Sequence, residues 1–212
     1  MVASALHLVR HGEVDNPGRV LYGRLPGFRL STLGNRMAEA AAEALADRPV
    51  RRVIASPLQR TQESAAPVAA AFELPVETDE RLIEPFNRFE GKRVSFGPSM
   101  LATPEAWPWM SNPFRPSWGE PYVSIAARML AAISDAYSSV DDGDVVLVSH
   151  QLPIWMVHRS LRGERLYHDP RRRRCDLSSI TTVEMRGARF VETRYLNPAG
   201  PLARAAVDEG AV

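Results

Sequence analysis

Residues 4–12 read Ser4-Ala5-Leu6-His7-Leu8-Val9-Arg10-His11-Gly12, a short apolar run that breaks into two basic residues and a glycine. So brief a run, rich in branched side chains, predicts a buried strand that stops at a polar loop. The same pattern returns twice. Arg52 to Ala55 predicts a strand, with Ser56 as the N-cap and Pro57 at the first position of a helix running to about Phe72, so that Arg60 falls in its first turn. Asp144 to Ser149 predicts a central strand ending at His150, followed by a helix over Leu152 to Leu161 with Pro153 in its first turn. Each strand thus ends beside a cationic or nucleophilic side chain.

The rest of the chain fits around these units. Behind Ser31, the spacing of Met37, Ala40, Ala41, Ala44 and Leu45 predicts an amphipathic helix, and Ile125, Met129, Ile133, Ala136 and Tyr137 predict another from Tyr122. Ile180 to Met185 and Phe190 to Tyr195, joined by Arg186-Gly187-Ala188-Arg189, read as a hairpin. The alternation predicts an α/β fold, a three-layer α/β/α sandwich with a mostly parallel mixed sheet. The expected single domain spans 1–197. Prolines and aromatics crowd Ser95 to Glu120 without periodicity, which predicts a small lid insertion over about 92–120. The small, polar residues after Asn197 predict a frayed tail over 198–212.

Composition narrows the function classes. The chain has 212 residues, enough to bury roughly 70% of its unfolded surface and hold a core without disulfides or a structural metal. Lys plus Arg number 26 against 25 Asp plus Glu, a net charge of +1, which removes any global electrostatic case for nucleic acid or an anionic membrane. The run Arg171 to Arg174 reads as a solvated or carboxylate-paired turn. A single cysteine, Cys175, has no internal partner, and the N-terminal stretch meets Arg10 and His11 too soon for a secretory segment, so a reducing cytoplasm is expected. No apolar run is long enough for a membrane span.

Strand C-termini line the ligand crevice of open α/β sheets, so Arg10, His11, Ser56, Arg60 and His150 are expected to converge. Arginine forks match a phosphate dianion, and the helix N-termini behind Ser56 and His150 add oriented N–H groups. A histidine at a strand end or an arginine in a first helical turn is by itself commonly structural; only the set is informative. A metal held by His11, His150 and Glu13 lacks any H-x-x-x-H or C-x-x-C spacing, and none is expected.

In register, Leu8-Val9-Arg10-His11-Gly12-Glu13, Gly23, Leu30-Ser31-Thr32-Leu33-Gly34, Ser56-Pro57-Leu58-Gln59-Arg60-Thr61-Gln62-Glu63-Ser64, Arg81-Leu82-Ile83-Glu84, Glu90-Gly91, Gly119-Glu120, Arg128 and Val148-Ser149-His150 resemble the histidine phosphatase superfamily, the phosphoglycerate mutase-like group. The resemblance covers roughly residues 4 to 185. It implies a two-step phosphoryl transfer without cofactor or metal, in which His11 becomes a phosphohistidine, Arg10, Arg60 and His150 hold the equatorial oxygens, and Glu84 is the general acid and base. Asn16, Gly23 and Gln151 complete the expected phosphate-binding set, and Gly12 and Gly23 are expected to let backbone approach the phosphate. Two departures stand out: Gln151 where the family commonly has glycine, and Pro121 in place of a serine. The expected partner is a small-molecule phosphate ester, and the expected activity a phosphatase. A phosphoglycerate mutase and a non-catalytic phospholigand-binding protein are the alternatives.

Overall fold

The protein is described by a computed structural model that covers residues 2–93 and 119–208. Among these, β1 (Ala5–Arg10), β2 (Val50–Ala55), β3 (Val76–Thr78), β4 (Asp144–Ser149), β5 (Ile180–Arg186) and β6 (Arg189–Leu196) form one sheet in the order β3-β2-β4-β1-β5-β6. The first four are parallel; β5 and β6 complete the sheet antiparallel, as the hairpin reading requires. Gly187, at φ +64°, supplies the left-handed backbone that the tight turn between them needs.

Alternate residues of the central strands face different layers, which is why those strands read as unbroken apolar runs. Leu6 and Leu8 of β1, with Val145 and Leu147 of β4, pack against α3 (Tyr122–Tyr137) and α4 (Gln151–Leu161) through Ile125, Met129, Ile133 and Trp155. Val9, Val146 and Val148 point to the other side, where α1 (Thr32–Glu43) and α2 (Gln59–Ala71) bring Ala41, Ala42, Ala65, Val68 and Ala69. The small residues on α1 and α2 let those helices lie close to the sheet. Three layers result.

Several boundaries differ from the sequence reading. Strand β2 begins at Val50 rather than Arg52, and β3 has too few residues to show a period. Helix α2 starts at Gln59 behind Leu58, which has no side-chain cap bond, so Ser56 is not the N-cap and Pro57 is not in the helix. The Ser56 hydroxyl is instead drawn to His150. The frayed tail is a further correction as far as Asp208: Ala199 is fully buried with Met37 and Leu177, and Leu202 and Ala206 pack against them. Small apolar residues make this contact without any regular spacing, so the pattern gave no sign of it. Residues 94–118, most of the expected lid, lie outside the described residues.

At the N-terminal end of the sheet the fully buried Asp144 accepts from His7 Nε2 at 3.0 Å and Arg48 Nε at 2.7 Å. Burial alone would raise its pKa, but the bonds from His7 and Arg48 hold it below the ordinary carboxylate value. The stability this supplies is present above the ordinary carboxylate range and is lost as pH falls through the depressed pKa. Asp144→Ala should cost about 2 kcal/mol and lower the thermal midpoint by roughly 6 °C, because it leaves the buried His7 without its acceptor, while the exposed Arg48 turns to water. Calorimetry at pH 7 checks this.

Candidate active site

Strands β2, β4 and β1 are consecutive in the sheet, and backbone bonds lock their C-terminal ends together. His11 N–H donates to the Ser149 carbonyl at 3.1 Å and Ser56 N–H to that of Val148 at 3.0 Å. Arg10, His11, Ser56, Arg60, Glu84 and His150 are all buried at this end. The convergence expected from the three strand ends is therefore present.

His11 has one ring nitrogen committed and one uncommitted. Its Nδ1 lies 2.8 Å from the Gly12 carbonyl, an acceptor only, so Nδ1 carries the proton and Nε2 the lone pair. Burial, then the charges of Arg60 and Arg10, push the imidazole pKa well below its ordinary value. At neutral pH the ring is uncharged, the state a nucleophile needs. The rings of His11 and His150 sit edge to face with centroids 5.2 Å apart.

Arg60 is oriented from three sides. Its NH2 donates to the Gly23 carbonyl at 2.8 Å and to His150 Nδ1 at 3.3 Å, while its guanidinium lies over the Tyr22 ring at 4.8 Å from the centroid. Gly23 thus acts through its carbonyl on Arg60. Its φ of +39° and a notional Cβ 2.2 Å from the Glu90 carboxylate explain the absence of a side chain. The Ser56 hydroxyl, 2.8 Å from His150 Nε2, can donate or accept, so it tolerates either tautomer of that ring.

Glu84 follows a short 3-10 turn, Glu80–Leu82, which is tied to β4 by the bond from the Ser149 hydroxyl to the Leu82 carbonyl. Arg24 Nε donates to the Glu84 carbonyl at 2.6 Å, and Arg128, bidentate on Glu120, donates to the Arg81 carbonyl at 2.5 Å. Burial raises the Glu84 pKa to about 7, outweighing the opposing charges of Arg60, Arg173, Arg10 and Arg128. Its Oε2 lies 3.3 Å from His150 Nδ1 without forming a hydrogen bond. Since burial and Arg60 hold His150 well below its ordinary pKa, that approach is not an ion pair at neutral pH.

Among the described residues, five buried atoms of this cluster have no hydrogen-bond partner: Arg10 Nε, His11 Nε2, Arg60 Nε and both Glu84 carboxylate oxygens. Buried polar atoms without partners are rare and costly. Here three of them sit on a neutral imidazole and two guanidinium groups, an arrangement able to receive an anion, and the other two on a carboxyl whose protonated form burial favours.

Other expected residues take different places. Both ends of the Asn16 amide bond the Val20 backbone, at 2.9 and 3.1 Å, so the described contacts brace the loop rather than the site. Gln151, the first residue of α4, accepts from Arg173 at 3.3 Å and approaches the Cys175 carbonyl at 3.5 Å. Glu13 accepts from the Ser31 hydroxyl and from Val207 N–H, which turns its carboxylate away from the histidines. Gly12 is required by packing: a Cβ there would stand 2.4 Å from the Gly34 carbonyl oxygen at the start of α1. Gly12→Ala should accordingly depress activity by about 100-fold and stability by about 2 kcal/mol together, since backbone cannot move aside cheaply. An assay alongside a melting curve tests it.

Sequence reasoning named Ser64 only as the end of the Ser56–Ser64 motif, and gave no site role to it, to Arg24 or to Arg173. The Ser64 hydroxyl accepts from Gly12 N–H at 3.1 Å and donates to the Arg60 carbonyl at 2.8 Å, linking the loop after β1 to α2. Its place one helical turn after Arg60 was the available signal. The arginine run divides: Arg171 pairs with Asp169 and Arg174 with Glu192, as a carboxylate-paired turn should. Arg173 turns inward, donating to His168 at 2.9 Å and to Gln151.

Comparison with known proteins agrees with this geometry. The family model described as histidine phosphatase superfamily (branch 1) matches residues 6–198. The uncharacterised protein Rv0525 of Mycobacterium tuberculosis is 55% identical over 194 residues, covering 92% of this chain and 96% of that one. A probable phosphoglycerate mutase, GpmB of Yersinia enterocolitica, is 30% identical over 186 residues, 84% of each chain. Among solved structures, mycobacterial glucosyl-3-phosphoglycerate phosphatase Rv2419c in complex with inorganic phosphate superposes with a TM-score of 0.68 at 26% identity, covering 90% of this chain and 96% of that one. With a family match over nearly its whole length and the convergent site that the motifs foretold, the chain belongs to branch 1 of the histidine phosphatase superfamily.

Proposed function

We propose that the chain is a phosphomonoesterase that hydrolyses a small phosphate ester through a phosphohistidine at His11. One observation carries the reading: a buried, neutral His11 with Nε2 unpartnered stands among Arg10, Arg60 and His150, beside a Glu84 whose pKa is about 7. Phosphoryl transfer needs in-line positioning and neutralisation of charge more than elaborate covalent chemistry, and this cluster supplies both. Nε2 attacks phosphorus, the ester oxygen leaves with the Glu84 proton, and the phosphoryl group rests on His11. Water then attacks, giving its proton to the Glu84 carboxylate, and phosphate departs. Arg10 and Arg60 hold equatorial oxygens through their Nε–H edges. His150 donates to a phosphoryl oxygen from Nδ1 only in the tautomer in which Ser56 donates to Nε2 and Arg60 NH2 gives up its bond to Nδ1 for the phosphoryl group.

The substrate reading draws on the insertion, whose Trp107, Trp109, Phe114 and Trp118 accompany Arg88, Arg93 and Arg115 in sequence, a composition suited to a phosphate ester with an apolar body. The mycobacterial phosphatase with bound phosphate favours hydrolysis. The GpmB relative favours a mutase as the second reading. Pairing a nucleophile with a proton donor argues against a pure phospholigand binder, which needs the arginines alone.

Rapid quenching into alkaline denaturant during turnover, followed by detection of labelled protein, tests the proposal, with phosphate release from p-nitrophenyl phosphate measured in EDTA. An acid-labile phosphate on His11 is expected, and its absence during turnover overturns the mechanism. Conversion of 3-phosphoglycerate to 2-phosphoglycerate faster than phosphate release makes the chain a mutase.

A further inference from the structure

The guanidinium of Arg10 has a partner that none of the family-like motifs contains. Its NH1 and NH2 donate to the two carboxylate oxygens of Asp208, at 2.8 and 2.5 Å, across 198 residues of chain, and NH1 also donates to the Cys175 carbonyl at 2.7 Å. Asp208 arrives on a tethered backbone. Ala199, Leu202 and Ala206 anchor the segment on Met37 and Leu177, and Val207 N–H donates to Glu13 at 2.7 Å, two residues along from His11.

The carboxylate meets only the outer end of the guanidinium. The Asp208 side chain is 42% exposed while that of Arg10 is fully buried. The inner edge of the cluster, Arg10 Nε with His11 Nε2 and Arg60 Nε, has no bond to Asp208 or to any other described residue. A carboxylate acting as a stand-in for phosphate would bond those inner atoms. Asp208 instead fixes the guanidinium plane from outside, by the bidentate geometry that holds an arginine most rigidly. Burial would lower the Arg10 pKa, and the neighbouring Asp208 more than reverses this, whereas Arg60, buried without so close a carboxylate, is lowered.

We propose that Asp208 is a positioning residue of the phosphate site, locking the plane of Arg10 so that its Nε–H edge faces the phosphoryl position beside His11. The inference rests on the anion-binding reading of the site given above. Removal of Asp208 would leave Arg10 held by one carbonyl and able to swing about its side-chain torsions. The cost would fall on phosphate binding.

The test is calorimetric titration of inorganic phosphate into the full chain, its Asp208→Ala, Asp208→Asn and Asp208→Glu variants, and a chain ending at Val207. Steady-state kinetics on p-nitrophenyl phosphate accompany it. Loss of the carboxylate should weaken phosphate binding about tenfold or more and raise KM by a similar factor, with a smaller change in kcat, because a charged hydrogen-bonded contact is lost. Asp208→Glu should recover most of the affinity. Asp208→Asn keeps the size of the side chain, so a weakened site in a variant that melts like the parent excludes a folding defect. Phosphate affinity within twofold of the parent overturns the proposal. Tighter binding also overturns it, since the tail then competes with phosphate. A parent chain that binds no phosphate overturns the proposed function and this inference together. A parent that binds phosphate with unaffected variants overturns only this inference.

Discussion

His11→Ala is expected to lower kcat/KM for any phosphate ester by at least about 10⁴-fold, with phosphate affinity reduced far less. No neighbouring group can replace the lost nucleophile. His150 has Nε2 against Ser56 and Nδ1 between Arg60 and Glu84, so its ring is already engaged at both ends. Water would have to attack directly, without the effective concentration that a ring held by the Gly12 carbonyl provides. Arg10 and Arg60 would remain, since Asp208 and Gly23 hold them independently of His11. The variant should therefore behave as a phosphate-binding protein, and equilibrium titration with inorganic phosphate separates this from misfolding. An activity within tenfold of the parent would remove His11 from the mechanism. The fold should gain slightly, because an unpartnered buried nitrogen is deleted with the ring.

That asymmetry between binding and chemistry follows from how the site is assembled. The two cations come from different elements, Arg10 at the end of β1 and Arg60 in the first turn of α2, and each is oriented by its own partners. The strand ends are close in space because β2, β4 and β1 are neighbours, although their sequence positions are far apart. This arrangement was legible in the sequence because each strand ends in a short, mainly apolar stretch that stops at a polar residue. Parallel order followed from the intervening helices. His11, both arginines, His150 and Glu84 could be expected to come together for the same reason: they sit at strand ends or within motifs resembling a known family.

Long-range tethers were not legible. Asp208 contacts Arg10 from a segment whose apolar residues have no period, and a bond spanning nearly the whole chain leaves no local trace. Arg173 was hidden among four identical residues, and its inward turn depends on His168 and Gln151 receiving its donors. Ser56 was misread because serine before proline is a strong cap signal; the competing bond to His150 decided otherwise. Gly12 was assigned to phosphate approach, while the start of α1 is what leaves no room for a side chain. In each case local chemistry was outweighed by a neighbour remote in sequence.

Glu84→Gln should divide the two half-reactions. With p-nitrophenyl phosphate, whose leaving group needs little protonation, His11 should still be phosphorylated, so a burst of one p-nitrophenolate per site is expected. The phosphohistidine should then persist, because the amide cannot take a proton from the attacking water, and turnover should fall by about 10²- to 10⁴-fold. Alkyl phosphates should show no burst, since their alkoxides leave only with a proton. In the parent chain the same group sets the pH dependence: kcat/KM for alkyl esters should fall as pH rises through about 7, where Glu84 loses its proton, and p-nitrophenyl phosphate should be far less sensitive on that limb. Stability responds with the same sign. A carboxyl whose pKa rises on folding from its ordinary 4.5 to about 7 favours the folded state fully only below the lower value, and the advantage is lost as pH rises through the upper one. Above pH 7 the buried carboxylate opposes folding by an amount on the order of a few kcal/mol, so Glu84→Gln should melt several degrees higher than the parent at pH 8 and about equally at pH 4. Stoichiometric burst, persistent adduct and a pH-dependent gain in stability would together identify Glu84 as an acid kept protonated by burial. A variant that turns over alkyl esters at the parental rate would transfer that role to another residue.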